Sequence, residues 1–117
     1  MKINIYLDDL RKHPNHFVLA KTYEEGVKLL KENKVGILSL DHDLGENPKT
    51  GELLKTGYDL VKYICQNNIF VEKIYIHTDN VIGRENMYQT LKSAQRRGFI
   101  SKDIEIFNYP LYPNIYE

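Results

Sequence analysis

Short apolar runs alternate along the chain with stretches whose apolar residues recur at helical spacing. The apolar runs at residues 3–7, 17–20, 37–40, 72–76 and 104–107 predict five strands. Helical stripes predict helices over residues 23–33, 58–65 and 83–97. Thr22 and Glu25 have the spacing of a capping box at the start of the first of these helices. Gly36 is expected to precede the third strand.

Strands that alternate with helices indicate an α/β fold with a doubly wound, mostly parallel sheet. We expect five strands in the order 2-1-3-4-5, as in flavodoxin-like folds. Residues 8–16, which join the first two strands, are too few for a helical crossover, so the first helix is missing or reduced to a turn. Residues 1–107 form this domain, and residues 108–117 form a tail rich in proline and tyrosine that is expected to pack back over it.

Polar clusters directly follow three of the predicted strands. Asp8 and Asp9 follow the first strand, Asp41-His42-Asp43 follows the third, and His77-Thr78-Asp79-Asn80 follows the fourth. In an open α/β sheet, ligands bind outside the carboxyl ends of the strands, near the point where the strand order reverses. The sequence therefore places three polar clusters at the carboxyl edge of the predicted sheet, and we expect a functional site there.

The carboxylates of this predicted site would repel one another if they were all ionised. They are Asp8, Asp9, Asp41 and Asp43. Either some of them are protonated, with raised pKa values, or a cation lies between them. A hard divalent ion such as Mg²⁺ or Mn²⁺ takes carboxylate, water and phosphate oxygens as ligands, so the cluster is suited to phosphate chemistry.

Other residues of the clusters carry further candidate roles. Because histidine as a residue type can exchange protons near neutral pH or bind a metal, His42 and His77 are candidates for an acid/base or ligand role. Asp79 or Asn80 is a candidate cap for the helix after the fourth strand, whose early Gly83 and Arg84 would place N–H groups and a guanidinium beside a phosphate. Arg11 is a second candidate for anion binding, with a solvated loop arginine as the alternative.

Composition limits the classes of partner. The 117 residues are 42% hydrophobic and 27% charged, as in an ordinary single globular domain. Sixteen Lys and Arg balance sixteen Asp and Glu, so extended nucleic-acid binding is not expected. No apolar stretch approaches the roughly 20 residues of a membrane helix, and no secretory signal is evident, so a cytoplasmic location is expected. The single cysteine, Cys65, is interpreted as a small core residue.

The motifs resemble those of the receiver domains of two-component signalling. Those domains have paired acids after the first strand that bind Mg²⁺, an aspartate after the third strand that accepts a phosphoryl group, and a threonine after the fourth. The resemblance assigns these places to Asp8 and Asp9, to Asp41 and to Thr78. Receivers also have a lysine after the fifth strand, whereas residues 107–110 here are Phe-Asn-Tyr-Pro.

A divergent branch, the cyclic-phosphate-processing receiver domains, is more similar. Its motifs coincide with residues 7–11 (Leu-Asp-Asp-Leu-Arg), 39–45 (Ser-Leu-Asp-His-Asp-Leu-Gly), 56–59 (Thr-Gly-Tyr-Asp) and 77–80 (His-Thr-Asp-Asn), followed by Gly83 and Met87. The resemblance covers residues 3 to about 94. It implies processing of cyclic or related phosphate groups, with the additional histidines serving catalysis in place of the missing lysine.

These inferences predict a metal-dependent enzyme that hydrolyses a small phosphate ester, such as a cyclic nucleotide or a 2′,3′-cyclic phosphate end. Asp8, Asp9 and Asp41 would hold the metal with help from Asp43. His42 and His77 would act as general acid and base, together with Asp41 as a reacting group, and the phosphate ligands would be Arg11, Thr78, Asn80 and Arg84. The alternative is a receiver-like signalling or binding module in which Asp41 is the phosphoacceptor or a vestigial site.

Overall fold

A computed structural model describes residues 1–10 and 12–111. The strands in this part of the chain are β1 (Lys2–Leu7), β2 (Val18–Ala20), β3 (Lys34–Leu40), β4 (Val71–Ile76) and β5 (Glu105–Phe107). The helices are α1 (Tyr23–Glu32), α2 (Gly57–Gln66) and α3 (Val81–Arg96). The predicted α/β class and number of strands are confirmed.

The five strands form one parallel sheet in the order β2-β1-β3-β4-β5, as predicted. The crossovers through α1, α2 and α3 all run in the same direction across the sheet. Right-handed crossovers in one direction place their helices on one face. Among the described residues no helix covers the other face, because those between β1 and β2 and those after β5 form only turns and extended chain.

The core lies between this helical layer and the sheet. Alternate strand residues, including Ile5, Leu38 and Ile74, point towards the helices and are fully buried. The residues between them point to the opposite face, where β1 pairs Tyr6 with Ser39 of β3, and Ser39 pairs with Tyr75 of β4. The helix-free face therefore carries aromatic and polar side chains beside the carboxyl ends of the strands.

Strand β3 begins earlier than expected and contains Gly36, so the prediction that this glycine precedes the strand was wrong. The β1–β3 register shifts between Ile3 and Ile5. At this irregularity the Asn4 side chain accepts the N–H of Ile37 at 2.9 Å. A Cβ on residue 36 would lie 2.9 Å from the same Asn4 oxygen, so glycine leaves room for the side chain to enter the ladder.

The helix starts also differ in detail from the predictions. Thr22 caps α1 by accepting the N–H of Glu25 at 3.1 Å, which is one half of the expected capping box. The reciprocal box occurs instead at α2, between Thr56 and Asp59. Helix α3 starts at Val81, ahead of the predicted residue 83, because Asn80 provides its cap.

Two peripheral predictions concern Cys65 and the C-terminal tail. Cys65 packs partly buried against the core, and burial raises the pKa of its thiol. The ring of Tyr109 contacts Tyr75 and Phe107 of the sheet, so the first part of the tail does touch the domain. Residues 112–117 lie outside the described residues.

Candidate functional site

Asp8 and Asp9 stand at the carboxyl end of β1. Strand pairing continues past the end of the strand, because the Asp8 N–H donates to the Ala20 carbonyl at 3.0 Å. Asp8 is 1% exposed, and its Oδ1 accepts the N–H of Leu10 at 2.8 Å. Asp9 is half-buried and faces Gly45, where a Cβ would lie 2.9 Å from its Oδ2. Gly45 also has φ +88°, so glycine serves both the turn and the close approach.

Asp41 stands at the end of β3, beside Asp8. Its Oδ1 accepts the N–H of His42 at 2.7 Å, and its carboxylate also accepts a hydrogen bond from the Thr78 side chain. Burial raises the pKa of Asp41 above its ordinary value, and the negative charge of Asp8 raises it further, against the opposing effect of the Thr78 hydrogen bond. The folded protein therefore disfavours the ionised form of Asp41.

The start of α2 fixes the backbone beneath this carboxylate. The Gly57 N–H donates to the carbonyl of His42 at 2.8 Å. A Cβ on residue 57 would lie 1.8 Å from the backbone oxygen of Asp41 and 3.1 Å from Cε of Met87. Because residue 57 is glycine, the N-terminal end of α2 can pack directly against the end of β3, next to Asp41.

A cavity of about 320 Å³ opens between the strand ends. The described residues that line it are Asp8, Asp9, Leu10, Asp41, Asp43, Gly45, Thr78, Asp79 and Asn80. Five of these are aspartates, and none is lysine, arginine or histidine. Among the described residues, the cavity wall thus carries acidic groups and no positive charge.

His77 lies behind the cavity wall and is 2% exposed. Its Nε2 is 3.0 Å from Oδ2 of Asp8, and its Nδ1 is 2.7 Å from Oγ of Ser39. The imidazole stacks on the ring of Tyr6 with 4.3 Å between ring centroids and 3° between the planes. Both ring nitrogens are therefore engaged by protein groups, and Asp8 stands between His77 and the cavity.

His42 lies at the rim, next to two cavity-lining side chains. Its Nδ1 is 3.0 Å from Oδ1 of Asp43, and the Asn80 amide approaches Oδ2 of Asp43 at 3.3 Å. The hydrogen bond from His42, with help from Asn80, lowers the pKa of Asp43. Asn80 also caps α3 through its Oδ1, which accepts the Gly83 N–H at 2.8 Å. A Cβ on residue 83 would lie 2.6 Å from the His42 ring, so Gly83 makes room for this histidine.

The structure brings most of the sequence-predicted residues together. The predicted metal residues Asp8, Asp9, Asp41 and Asp43, with Thr78 and Asn80, line one cavity, and His42 and His77 adjoin it without lining it. Arg84, half-buried in the first turns of α3, is not among the lining residues. Arg11 lies outside the described residues.

Sequence reasoning missed two residues that contact His77. Ser39 was counted as part of an apolar strand, and Tyr6 was counted as part of the first one. A serine within an otherwise apolar run was the available signal for Ser39. Nothing in the sequence separates Tyr6 from an ordinary core aromatic residue.

The donor set suits a divalent cation. One ligand atom from each of Asp8, Asp41 and His77 can be chosen so that all three lie within 4.8 Å of one another. Carboxylate oxygens are ligands for Mg²⁺ and Mn²⁺, and a bound cation would also offset the burial and the repulsion by Asp8 that together raise the pKa of Asp41. The cluster could therefore hold a metal ion.

A five-stranded parallel sheet with acidic residues at the carboxyl ends of β1 and β3 defines a receiver-like α/β domain. The family model of the cyclic-phosphate processing receiver domain matches residues 3–93, and the chain belongs to this family. No curated protein sequence matches the chain significantly. The family resemblance identified from the motifs is confirmed.

None of the helices among residues 1–10 and 12–111 is long and apolar enough to cross a membrane.

Proposed function

We propose that this domain is a metal-dependent phosphoesterase that hydrolyses a cyclic or related phosphate ester, such as a cyclic nucleotide or a 2′,3′-cyclic phosphate end. One observation carries the proposal: five aspartates line the cavity, and its described lining residues include no cation. An anionic phosphate would be repelled from such a wall unless a divalent ion lay between them. The family to which the chain belongs supports a cyclic phosphate as the substrate class.

Asp8, Asp9 and Asp41 are the proposed metal residues, and Asp43 is placed to assist from the rim. Asp8 and Asp41 are the stronger members, because protein hydrogen bonds already hold both carboxylates. When bound, Mg²⁺ or Mn²⁺ would polarise a phosphoryl oxygen and lower the pKa of a coordinated water. The role of the protein is to present the carboxylates in a fixed arrangement beside the cavity.

Thr78 and Asn80 are the proposed phosphate ligands within the cavity wall. Both line it, and the Asn80 amide already points at the carboxylate of Asp43. Arg84, in the first turns of α3, and Arg11, after the acidic pair, are the proposed cationic contacts to the phosphate. Arg84 is not among the lining residues, so it would act by extending its long side chain over the cavity mouth, and Arg11 lies outside the described residues.

His42 is the stronger candidate for general acid and base. Its Nδ1 is held by Asp43 at the rim, which leaves Nε2 as the atom for proton transfer, in the manner of a histidine oriented by a carboxylate. His77 was predicted to share this role, but contact with a substrate would require Asp8 to move aside. Loss of His42 should therefore lower turnover by about 10²–10⁴-fold, the range for a lost general acid or base.

A substrate panel tests the proposal. The purified protein is incubated with cyclic mono-, di- and oligonucleotides and with RNA ending in a 2′,3′-cyclic phosphate, each with Mg²⁺, Mn²⁺ or chelator, and the products are separated by chromatography. Metal-dependent ring opening that is lost in Asp41→Asn supports the proposal, with Asp103→Asn, on an exposed residue away from the cavity, as the control. No turnover of any cyclic phosphate with either metal would contradict it.

A receiver-like module with Asp41 as phosphoacceptor is the second candidate. It is favoured by the hydrogen bond from Thr78 to the Asp41 carboxylate and by the adjacent acidic pair. Residues 107–110, at the end of β5 and directly after it, include no lysine to stabilise an acyl phosphate, which counts against the module. Small acyl-phosphate donors with Mg²⁺, followed by mass spectrometry, would label Asp41 in this case, and stable labelling without cyclic-phosphate turnover would favour the module.

A further inference from the structure

We propose that Ser39 and His77 form a positioning relay that holds the carboxylate of Asp8 towards the cavity, with the Ser39 hydroxyl donating to Nδ1 of His77 and Nε2–H of His77 donating to Oδ2 of Asp8. The inference rests on the proposed function in taking Asp8 as a metal residue. It assigns His77 to positioning, in place of proton transfer to a substrate.

The first step is the placement of the three side chains. Ser39, His77 and Asp8 come from β3 and from the ends of β4 and β1, and they are 1%, 2% and 1% exposed. The two contacts join them in one line, 2.7 Å from Ser39 Oγ to His77 Nδ1 and 3.0 Å from His77 Nε2 to Asp8 Oδ2. A buried polar group without a hydrogen-bond partner destabilises the fold. The three side chains are therefore held in the positions that keep both hydrogen bonds.

The direction of both hydrogen bonds follows from the charge of Asp8. An ionised carboxylate only accepts, so the proton of a neutral His77 must lie on Nε2, facing Asp8. Nδ1 is then an acceptor, and the Ser39 hydroxyl is placed to donate to it. The serine therefore complements the tautomer that the acid requires, because its hydroxyl satisfies the remaining acceptor, Nδ1.

The third step is the orientation of the ring. Tyr6 stacks parallel to the imidazole, and Phe17 packs edge-on against Tyr6 with 6.2 Å between ring centroids. Ser39 lies between Tyr6 and Tyr75 in the sheet register. A larger side chain at this position would fill the space in which the rings of Tyr6 and His77 meet above β3.

The relay leaves Asp8 ready to bind a cation. Its Oδ1 accepts the Leu10 N–H and its Oδ2 accepts from His77, so the carboxylate cannot rotate freely. Partners of this kind behind a metal ligand typically contribute about 10–100-fold to metal affinity. Ser39, which cannot reach the cavity through His77, should thus affect metal binding.

The test has a spectroscopic part that needs neither metal nor a variant. In ¹⁵N-labelled, metal-free protein at mildly alkaline pH, the relay requires His77 to show a protonated Nε2 and an unprotonated Nδ1. A neutral ring protonated on Nδ1 would overturn the proposal. Ser39→Ala, which removes the donor to Nδ1, should shift the Nδ1 signal while the proton stays on Nε2, whereas Ser93→Ala, at a half-buried serine of α3, should leave the His77 signals unchanged.

Calorimetric titration with Mn²⁺ gives the second readout. Ser39→Ala and His77→Ala should each weaken binding by about 10-fold or more, whereas His77→Gln, whose amide nitrogen can replace the Nε2 donor, should retain most of the affinity. His77→Gln binding as weakly as His77→Ala would indicate that His77 is itself a ligand and would overturn the relay, as would unchanged affinity in Ser39→Ala. Absence of Mn²⁺ binding in the wild type would contradict the proposed function, while the tautomer measurement would still decide the relay.

Discussion

Oδ2 of Asp8 and Nε2 of His77 lie 3.0 Å apart, although 69 residues separate them along the chain. They stand at the ends of β1 and β4, which are not neighbours, because β3 lies between them. The contact therefore spans the middle strand on the helix-free face of the sheet. At Asp8, the acidic edge of this domain is therefore held by a buried protein contact.

A divalent metal should stabilise the fold. Binding to the native state alone raises the free energy of unfolding by about 2.7 kcal/mol at a metal concentration of 100 times Kd. Thermal melts in Mg²⁺ or Mn²⁺ should thus lie several degrees above melts in chelator. Asp9→Asn, which removes a cavity carboxylate, should reduce the difference, and Asp103→Asn should not. Coincident melts at millimolar metal would exclude the metal site.

Asp41→Asn should stabilise the metal-free protein at neutral pH. Burial and the charge of Asp8 raise the pKa of Asp41 above 3.8, so the folded state disfavours its ionised form. The contribution of Asp41 to stability is fully present below the unfolded pKa and is lost as the pH rises through the folded pKa. Melts in chelator across this range should show the variant above the wild type at pH 7 and the two converging near pH 3.8 and below. A variant less stable than the wild type at neutral pH would mean that the lost hydrogen bonds outweigh the relieved repulsion.

Gly57→Ala should destabilise the fold and weaken metal binding together. The new Cβ would lie 1.8 Å from the backbone oxygen of Asp41, so the start of α2 or the end of β3 must move. Overpacking of this kind costs about 1–3 kcal/mol. Gly26→Ala is the matched control, because its Cβ would meet the flexible end of Leu60 at 3.1 Å and the helix gains from alanine. Equal melting temperatures and Mn²⁺ affinities for the two variants would contradict the argument.

The sequence predicted the sheet order and the convergence of the acidic clusters, because both follow from local periodicity and from the handedness of crossovers. It did not predict the depth at which each side chain lies. His77 is the first residue after β4 and is buried behind Asp8, whereas His42 is the second residue after β3 and reaches the rim. The environment of His77 is formed by Ser39 and by the ring of Tyr6, which come from two other strands, and such contacts are not evident from any single segment.

The start of β3 and the cap of α2 were missed for a related reason. Gly36 reads as a strand break, but the Asn4 side chain from β1 occupies the space beside it and accepts the N–H of Ile37. Thr56 and Asp59 form a capping box whose acid is aspartate, whereas the usual signature has glutamate or glutamine. At the start of β3 and at the cap of α2, side chains accept hydrogen bonds from backbone N–H groups. Hydrophobic periodicity gives no information about such contacts.

Gly83→Ala should lower turnover without lowering metal affinity, and so distinguish the role of His42 from that of the metal. A Cβ at this position would lie 2.6 Å from the His42 ring and 3.0 Å from Cγ of Asn80, so the imidazole must leave its contact with Asp43. If His42 transfers the proton, turnover should fall towards that of His42→Gln, by about 10²–10⁴-fold, while Mn²⁺ affinity stays near the wild-type value because Asp8 and Asp41 are untouched. Glu85→Ala, on the exposed side of α3, is the control for changes in the helix itself. Full turnover in Gly83→Ala, with its His42 signals shifted in NMR spectra, would remove His42 from the chemistry and leave the carboxylates and the bound metal as the reacting groups.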